Sequence, residues 1–125
     1  MIRFLTFGYA AFFAAVVAIG YVPSFIEYVA DERLLFGLFE LSLIDDVTHA
    51  VTALGALIAA LYSRDLSIKY LIVFGSYYAL DATFFLIYGL MNDRPFMDDI
   101  LLNLPHVIIA ASMFFIAYPL AKRRG

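Results

Sequence analysis

The chain carries two histidines, and each stands at the head of a long, chiefly apolar stretch: Asp46-Val47-Thr48-His49 before 50–61, and Asn103-Leu104-Pro105-His106 before 107–120. Asp81 lies in the middle of a third such stretch, within Tyr77-Tyr78-Ala79-Leu80-Asp81-Ala82. An ionisable side chain at bilayer depth is costly unless it turns inward and finds a partner, so these three residues are the candidates for any site. Two imidazoles can ligate a haem b from either side, and the small residues Ala50, Ala53, Gly55, Ala110, Ala111 and Ser112 would leave room for the porphyrin. With Asp81 they make up the two-histidine, one-carboxylate set that holds a divalent metal. Asp81 can also relay protons or ions. Without any ligand, His49, His106 and Asp81 can hydrogen-bond one another between helices, each bond adding about 0.6–2 kcal/mol to packing. Asp46 and Asn103 would support such a centre from one turn away, Asp46 as an N-cap or first-turn carboxylate and Asn103 at a helix start beside Pro105.

These residues need elements to position them. At 125 residues, 65% hydrophobic and 15% charged, the chain is one domain of membrane composition. Four apolar runs, 4–25, 44–62, 68–90 and 100–120, each approach the roughly 20 residues that cross a bilayer. The expected fold is all-α, a four-helix transmembrane bundle running up-down-up-down. If the second and fourth spans run parallel across the bundle diagonal, His49, Asp81 and His106 converge on one polar centre. The segment between the first two spans is too apolar around Leu34, Leu35, Phe36, Leu38, Phe39 and Leu41 for a solvated loop, while Glu32, Arg33 and Glu40 stop it from spanning. It is expected to lie as an amphipathic piece at the outer interface.

Charge sets the orientation. Arg3, Arg64, Lys69, Lys122, Arg123 and Arg124 fall on one side, against Arg33 and Arg94 on the other, which places both termini in the cytoplasm of a multi-pass protein of the cell membrane. Glu27, Asp31, Glu32, Glu40, Asp45, Asp46, Asp93, Asp98 and Asp99 make the outer side acidic and disfavour nucleic acid as a partner. The lipid bilayer is the expected partner, with a second copy or another membrane subunit beside it. Arg3 followed by an apolar run and Ala18-Ile19-Gly20 resembles a cleavable signal, but the run is longer than a signal core, so four spans are expected. There is no cysteine, and thiol chemistry is excluded. No Gly-x-Ser-x-Gly elbow, phosphate loop or His-Glu-x-x-His helix occurs. The role expected is therefore structural or accessory rather than enzymatic, with no cofactor required.

The two Asp/Asn-x-x-His segments also align with each other: Ile44 with Leu101, Asp46 with Asn103, His49 with His106, Ala53 with Ala110 and Gly55 with Ser112. This reads as a repeated hairpin with both histidines at one depth. Leu35-Phe36-Gly37-Leu38-Phe39, Asp45-Asp46-Val47-Thr48-His49 and Asn103-Leu104-Pro105-His106 together resemble the small four-helix bacterial membrane family known as domain of unknown function 4383. Pro105 and Phe114-Phe115 depart from that family's usual leucine- and glycine-rich run. The resemblance implies the four-helix fold and a membrane location, and it carries no activity with it.

Overall fold

The computed structural model describes the whole chain except residues 31, 38, 41 and 123–125, and gives backbone alone at 40, 120 and 121. The expectations resting on Asp31, Leu38, Leu41, Arg123 and Arg124 thus lie outside the described residues. Four helices carry the fold: α1 (Ile2–Ile19), α2 (Leu43–Tyr62), α3 (Arg64–Met91) and α4 (Phe96–Lys122). All four are long and apolar enough to cross a membrane. The chain divides into two compact units, Met1–Ser67 and Ile68–Gly125.

In the first unit α1 and α2 pack antiparallel. The start of α1 meets the end of α2, where Arg3 donates to the carbonyls of Ala60 (2.6 Å) and Leu61 (2.8 Å). Those carbonyls have no partner inside the helix, and a guanidinium also suits the negative end of the helix dipole. Between them the pair buries Phe13, Thr6, Thr52, Ala56, Ala59 and Ala60. Thr6 and Thr52 turn their hydroxyls back to the carbonyls of Ile2 and Thr48, so neither leaves a polar atom bare. The alanines let the two backbones approach, the usual way helices pack where lipid removes the hydrophobic drive.

The first span is shorter than its apolar run. α1 stops at Ile19, not near 25, because Gly20 and then Pro23 follow: Val22 is extended, as a residue before proline prefers, and Pro23–Phe25 is one 3-10 turn. The outer segment is also not purely an interfacial piece on an all-α fold. It is a three-stranded antiparallel sheet of β1 (Ile26–Val29), β2 (Glu32–Leu35) and β3 (Phe39–Glu40) in the order β1-β2-β3. Val29 faces Glu32 across a two-residue turn, and Leu35 faces Phe39 across 36–38. Gly37 takes φ +72°, and a Cβ there would fall 2.5 Å from Glu27 Oε2. Only glycine meets both demands without strain.

The joint between α2 and α3 is Ser63 alone rather than the five-residue loop its polarity suggests. Its extended backbone ends α2, and its hydroxyl accepts the Leu66 N–H (3.1 Å) to cap α3. Ser67 reaches back to the carbonyls of Ala59 and Ser63 (3.1 and 3.0 Å) and ties the corner.

In the second unit α3 and α4 also pack antiparallel. Gly75 sits against Met113, Asp81 against His106 and Gly89 against Asp99, so one helix descends as the other climbs. Leu71, Tyr78, Ala82, Ala110, Met113 and Ala117 are buried. α4 runs unbroken through Pro105 and Pro119, so Asn103 is well inside the helix and not at its start. Large apolar side chains on all four helices point outward, among them Phe4, Leu80 and Phe115. That is the reverse of a water-facing surface.

Candidate functional site

An imidazole and a carboxylate meet between α3 and α4. His106 Nδ1 stands 2.9 Å from Asp81 Oδ2. Nδ1 is fully enclosed and is not aligned for a hydrogen bond, so the contact is one of charge at short range, while the imidazole as a whole keeps 28% of its surface. Tyr78, one turn before Asp81 on α3 and 1% exposed, lays its ring 5.5 Å from the imidazole and tilted by 42°. A buried aromatic wall and a carboxylate thus fix the ring's plane and its position.

A second polar group lies at the start of α4. Asp99, the fourth residue of that helix, is fully buried, and a Cβ on Gly89 would collide with its carboxylate. Glycine at 89 is what admits the carboxylate into the wall of α3. Asn103 donates to the Asp99 carbonyl (2.8 Å) and to its Oδ1 (3.3 Å), and Arg94 Nη1 approaches Oδ1 at 3.5 Å. Oδ2 has no partner among the described residues. Asp99, Asn103 and His106 follow at spacings of four and three, so they line one face of α4.

The first unit builds a different arrangement from similar parts. Ser42 caps α2: its hydroxyl accepts the Asp45 N–H (3.2 Å), and the Asp45 carboxylate accepts the Ser42 N–H (3.1 Å). This is a capping box, with aspartate where glutamate is commoner. Asp46 is therefore a first-turn carboxylate and not the N-cap. It turns to accept from Tyr21 Oη (2.8 Å) and Arg33 Nη2 (2.5 Å), while the guanidinium lies 4.7 Å over the Tyr21 ring. The hydrogen bond to Asp46 raises the Arg33 pKa above its usual value, with burial opposing it and Tyr21 adding to it. His49 stacks on Phe13 of α1, rings 5.9 Å apart and 29° from parallel.

Of the three residues singled out for a site, the structure brings Asp81 and His106 together and gives His49 to the other unit, against a phenyl ring. Among the described residues no group of three His, Cys, Asp or Glu side chains gathers as a metal chelate would. Asn103 does not mirror Asp46. The fourth residue of α4 is Asp99, and it is Asp99 that meets an arginine as Asp46 does. Counted from the helix starts, His49 is seventh in α2 and His106 eleventh in α4, one turn further in. Matching the histidines thus shifts the repeat by a turn. The matching pairs Asp45-Asp46 and Asp98-Asp99, each just inside a helix start, carried the correct register. Ser42-Leu43-Ile44-Asp45 was likewise a readable capping signal.

No family model, curated protein or solved structure matches the chain. What the site does must be argued from its own residues.

Proposed function

We propose that the chain is a four-span protein of the cell membrane, running up-down-up-down with both termini in the cytoplasm, whose role is structural or accessory rather than enzymatic. Four helices of spanning length with outward apolar faces support the location. The motif resemblance to the small bacterial membrane family points the same way. One observation carries the role: the 2.9 Å contact of His106 with Asp81 sets the imidazole of α4 against the carboxylate of α3. On this reading the pair is a clasp that sets the register of the hairpin. A double-mutant cycle on the unliganded protein in detergent, with Asp81→Leu, His106→Leu and both, is the test. A coupling of about 0.6–2 kcal/mol is expected for a polar contact between membrane helices. Additive losses reject the clasp.

The orientation has its own test. The chain has no cysteine, so single cysteines placed at Tyr28 or Asn92 should react with an impermeant thiol reagent on intact cells, and one placed at Arg64 only after the membrane is opened. The reverse pattern would invert the topology.

Proton or ion transfer is the second reading, favoured by a carboxylate and an imidazole meeting inside a spanning helix pair. Proton flux into liposomes should then fall with Asp81→Asn. Equal fluxes remove it.

A further inference from the structure

The sheet of the first unit has two unlike faces. Side chains alternate along a strand, and residues paired across an antiparallel ladder share a face. The pairs Ile26–Leu35, Tyr28–Arg33 and Leu35–Phe39 thus put Ile26, Tyr28, Arg33, Leu35 and Phe39 on one side. Glu27, Val29, Glu32 and Leu34 fall on the other, where both glutamates are exposed. Arg33 fixes which side looks toward the helices. It reaches Asp46 in the first turn of α2, and its guanidinium lies over Tyr21, two residues past the end of α1. The largely apolar face therefore turns toward the ends of both spanning helices, and the acidic face turns away.

Tyr28 is left uncovered by that contact. Ile26, Leu35 and Phe39 are half-buried, whereas Tyr28 stands 71% exposed beside Arg33. We propose that Tyr28 overhangs the helix ends and rests in the headgroup layer of the adjoining leaflet, with zwitterionic phospholipid as its partner. The assignment rests on the membrane reading above. The chain enters the sheet from α1 and leaves it into α2 at Leu43, so the strands are held where a spanning segment meets water. Tyrosine suits that depth, with an apolar ring and a hydroxyl that can reach water. Charge selects the lipid. Asp46 already takes the Arg33 cation, and Glu27 and Glu32 repel an anionic surface.

The chain has no tryptophan, so a single one introduced by substitution reports alone. The test is fluorescence quenching of the full chain in phosphatidylcholine vesicles, with bromine placed either high or deep on the acyl chains. Tyr28→Trp should be quenched more by the shallow bromines. Val29→Trp, the next residue on the acidic face, should be quenched by acrylamide in the water and by neither lipid. Leu80→Trp, exposed midway along α3, should be quenched most by the deep bromines and checks the spanning itself. Exchanging part of the lipid for phosphatidylglycerol should not raise the shallow quenching of Tyr28→Trp. Lipid quenching of Leu80→Trp without that of Tyr28→Trp overturns the proposal and leaves the membrane reading standing, whereas loss of both rejects the two together. Equal lipid quenching at 28 and 29, or a gain with phosphatidylglycerol, also overturns it. So does a Tyr28→Trp shielded from lipid and acrylamide alike, which would mean that protein covers the face.

Discussion

The two hairpins solve one problem with the polar groups at different depths. Each sets an arginine from its connecting segment against the fourth residue of its second helix, Arg33 on Asp46 and Arg94 on Asp99. Each packs a buried aromatic ring of its first helix against the histidine of its second, Phe13 on His49 and Tyr78 on His106. They part at the next turn. Three residues beyond Tyr78 stands Asp81, whereas three beyond Phe13 stands Val16. The α1–α2 hairpin gathers charges at the helix ends and stacks its imidazole on a phenyl ring. The α3–α4 hairpin carries a polar face inward from Asp99 through Asn103 to His106 and meets a carboxylate there. A histidine at a span's start thus says little by itself, and the residue one turn past the facing aromatic decides what the imidazole can do.

The largest expected effect separates the histidines directly. His106→Leu removes the imidazole that faces the Asp81 carboxylate, and breaking a part-buried pair of this kind costs up to about 3 kcal/mol. The pair keeps about a quarter of its surface, so solvent or headgroup access would reduce that figure. His49→Leu keeps an apolar contact with Phe13 and should cost less. Thermal unfolding of both variants in one detergent measures the gap, and equal losses would erase the distinction between the hairpins.

Next in size is the glycine that admits Asp99. Gly89→Ala places a methyl group within the Asp99 carboxylate, and either the charge or the helix must move. Overpacking of this kind costs about 1–3 kcal/mol. In α1, Gly8 has nothing within 4 Å of its would-be Cβ, so Gly8→Ala should be neutral or stabilise by up to about 1 kcal/mol through helix propensity. Opposite signs are expected in a denaturation comparison. Matching signs would mean that the Asp99 carboxylate is not held against α3.

These contrasts separate what the amino-acid sequence makes legible from what it leaves hidden. The four helices were legible because runs of apolar residues at spanning length leave few alternatives, and Asp81 was legible as inward-facing because lipid would not tolerate it. Its meeting with His106 followed from antiparallel neighbours of like depth. Asp99 was not legible. Its role depends on Gly89, ten residues earlier on another helix, and glycine in a span has many ordinary uses. The sheet escaped for a related reason: Ile26–Val29 and Glu32–Leu35 are four-residue strands without a clean alternation, and their pairing is fixed by turns in which Ala30, Phe36 and Gly37 take positive φ. Two of those three residues seldom do so, and nothing in their side chains announces it.

A smaller effect concerns the arginines. Arg33→Gln should lower stability by up to about 1 kcal/mol, since both partners keep some exposure and such pairs are modest. The loss should shrink as salt rises from about 0.1 to 1 M, where the screening length falls to roughly 3 Å. Because its pKa is raised, Arg33 contributes fully below its ordinary value and loses that contribution only at higher pH still, so the pair's cation adds no pH dependence near neutrality. A salt-independent loss would assign Arg33's contribution to its stacking on Tyr21 instead.

The finest distinction lies at the helix starts themselves. α2 opens with Ser42 and Asp45 in reciprocal bonds, whereas α4 opens after Pro95, whose carbonyl accepts the Asp99 N–H but whose ring can cap nothing. Ser42→Ala should therefore cost about 1 kcal/mol, the usual worth of a cap. Pro95→Ser writes the same Ser-x-x-Asp pattern ahead of α4, with Asp98 in the place of Asp45. Its gain should be smaller than the loss at Ser42, because removing proline returns about 0.4–1 kcal/mol of freedom to the unfolded chain. If Pro95→Ser stabilises by as much as Ser42→Ala destabilises, proline's rigidity counts for nothing at that corner. The buried Asp99 would then hold the start of α4 with no help from the residue before it.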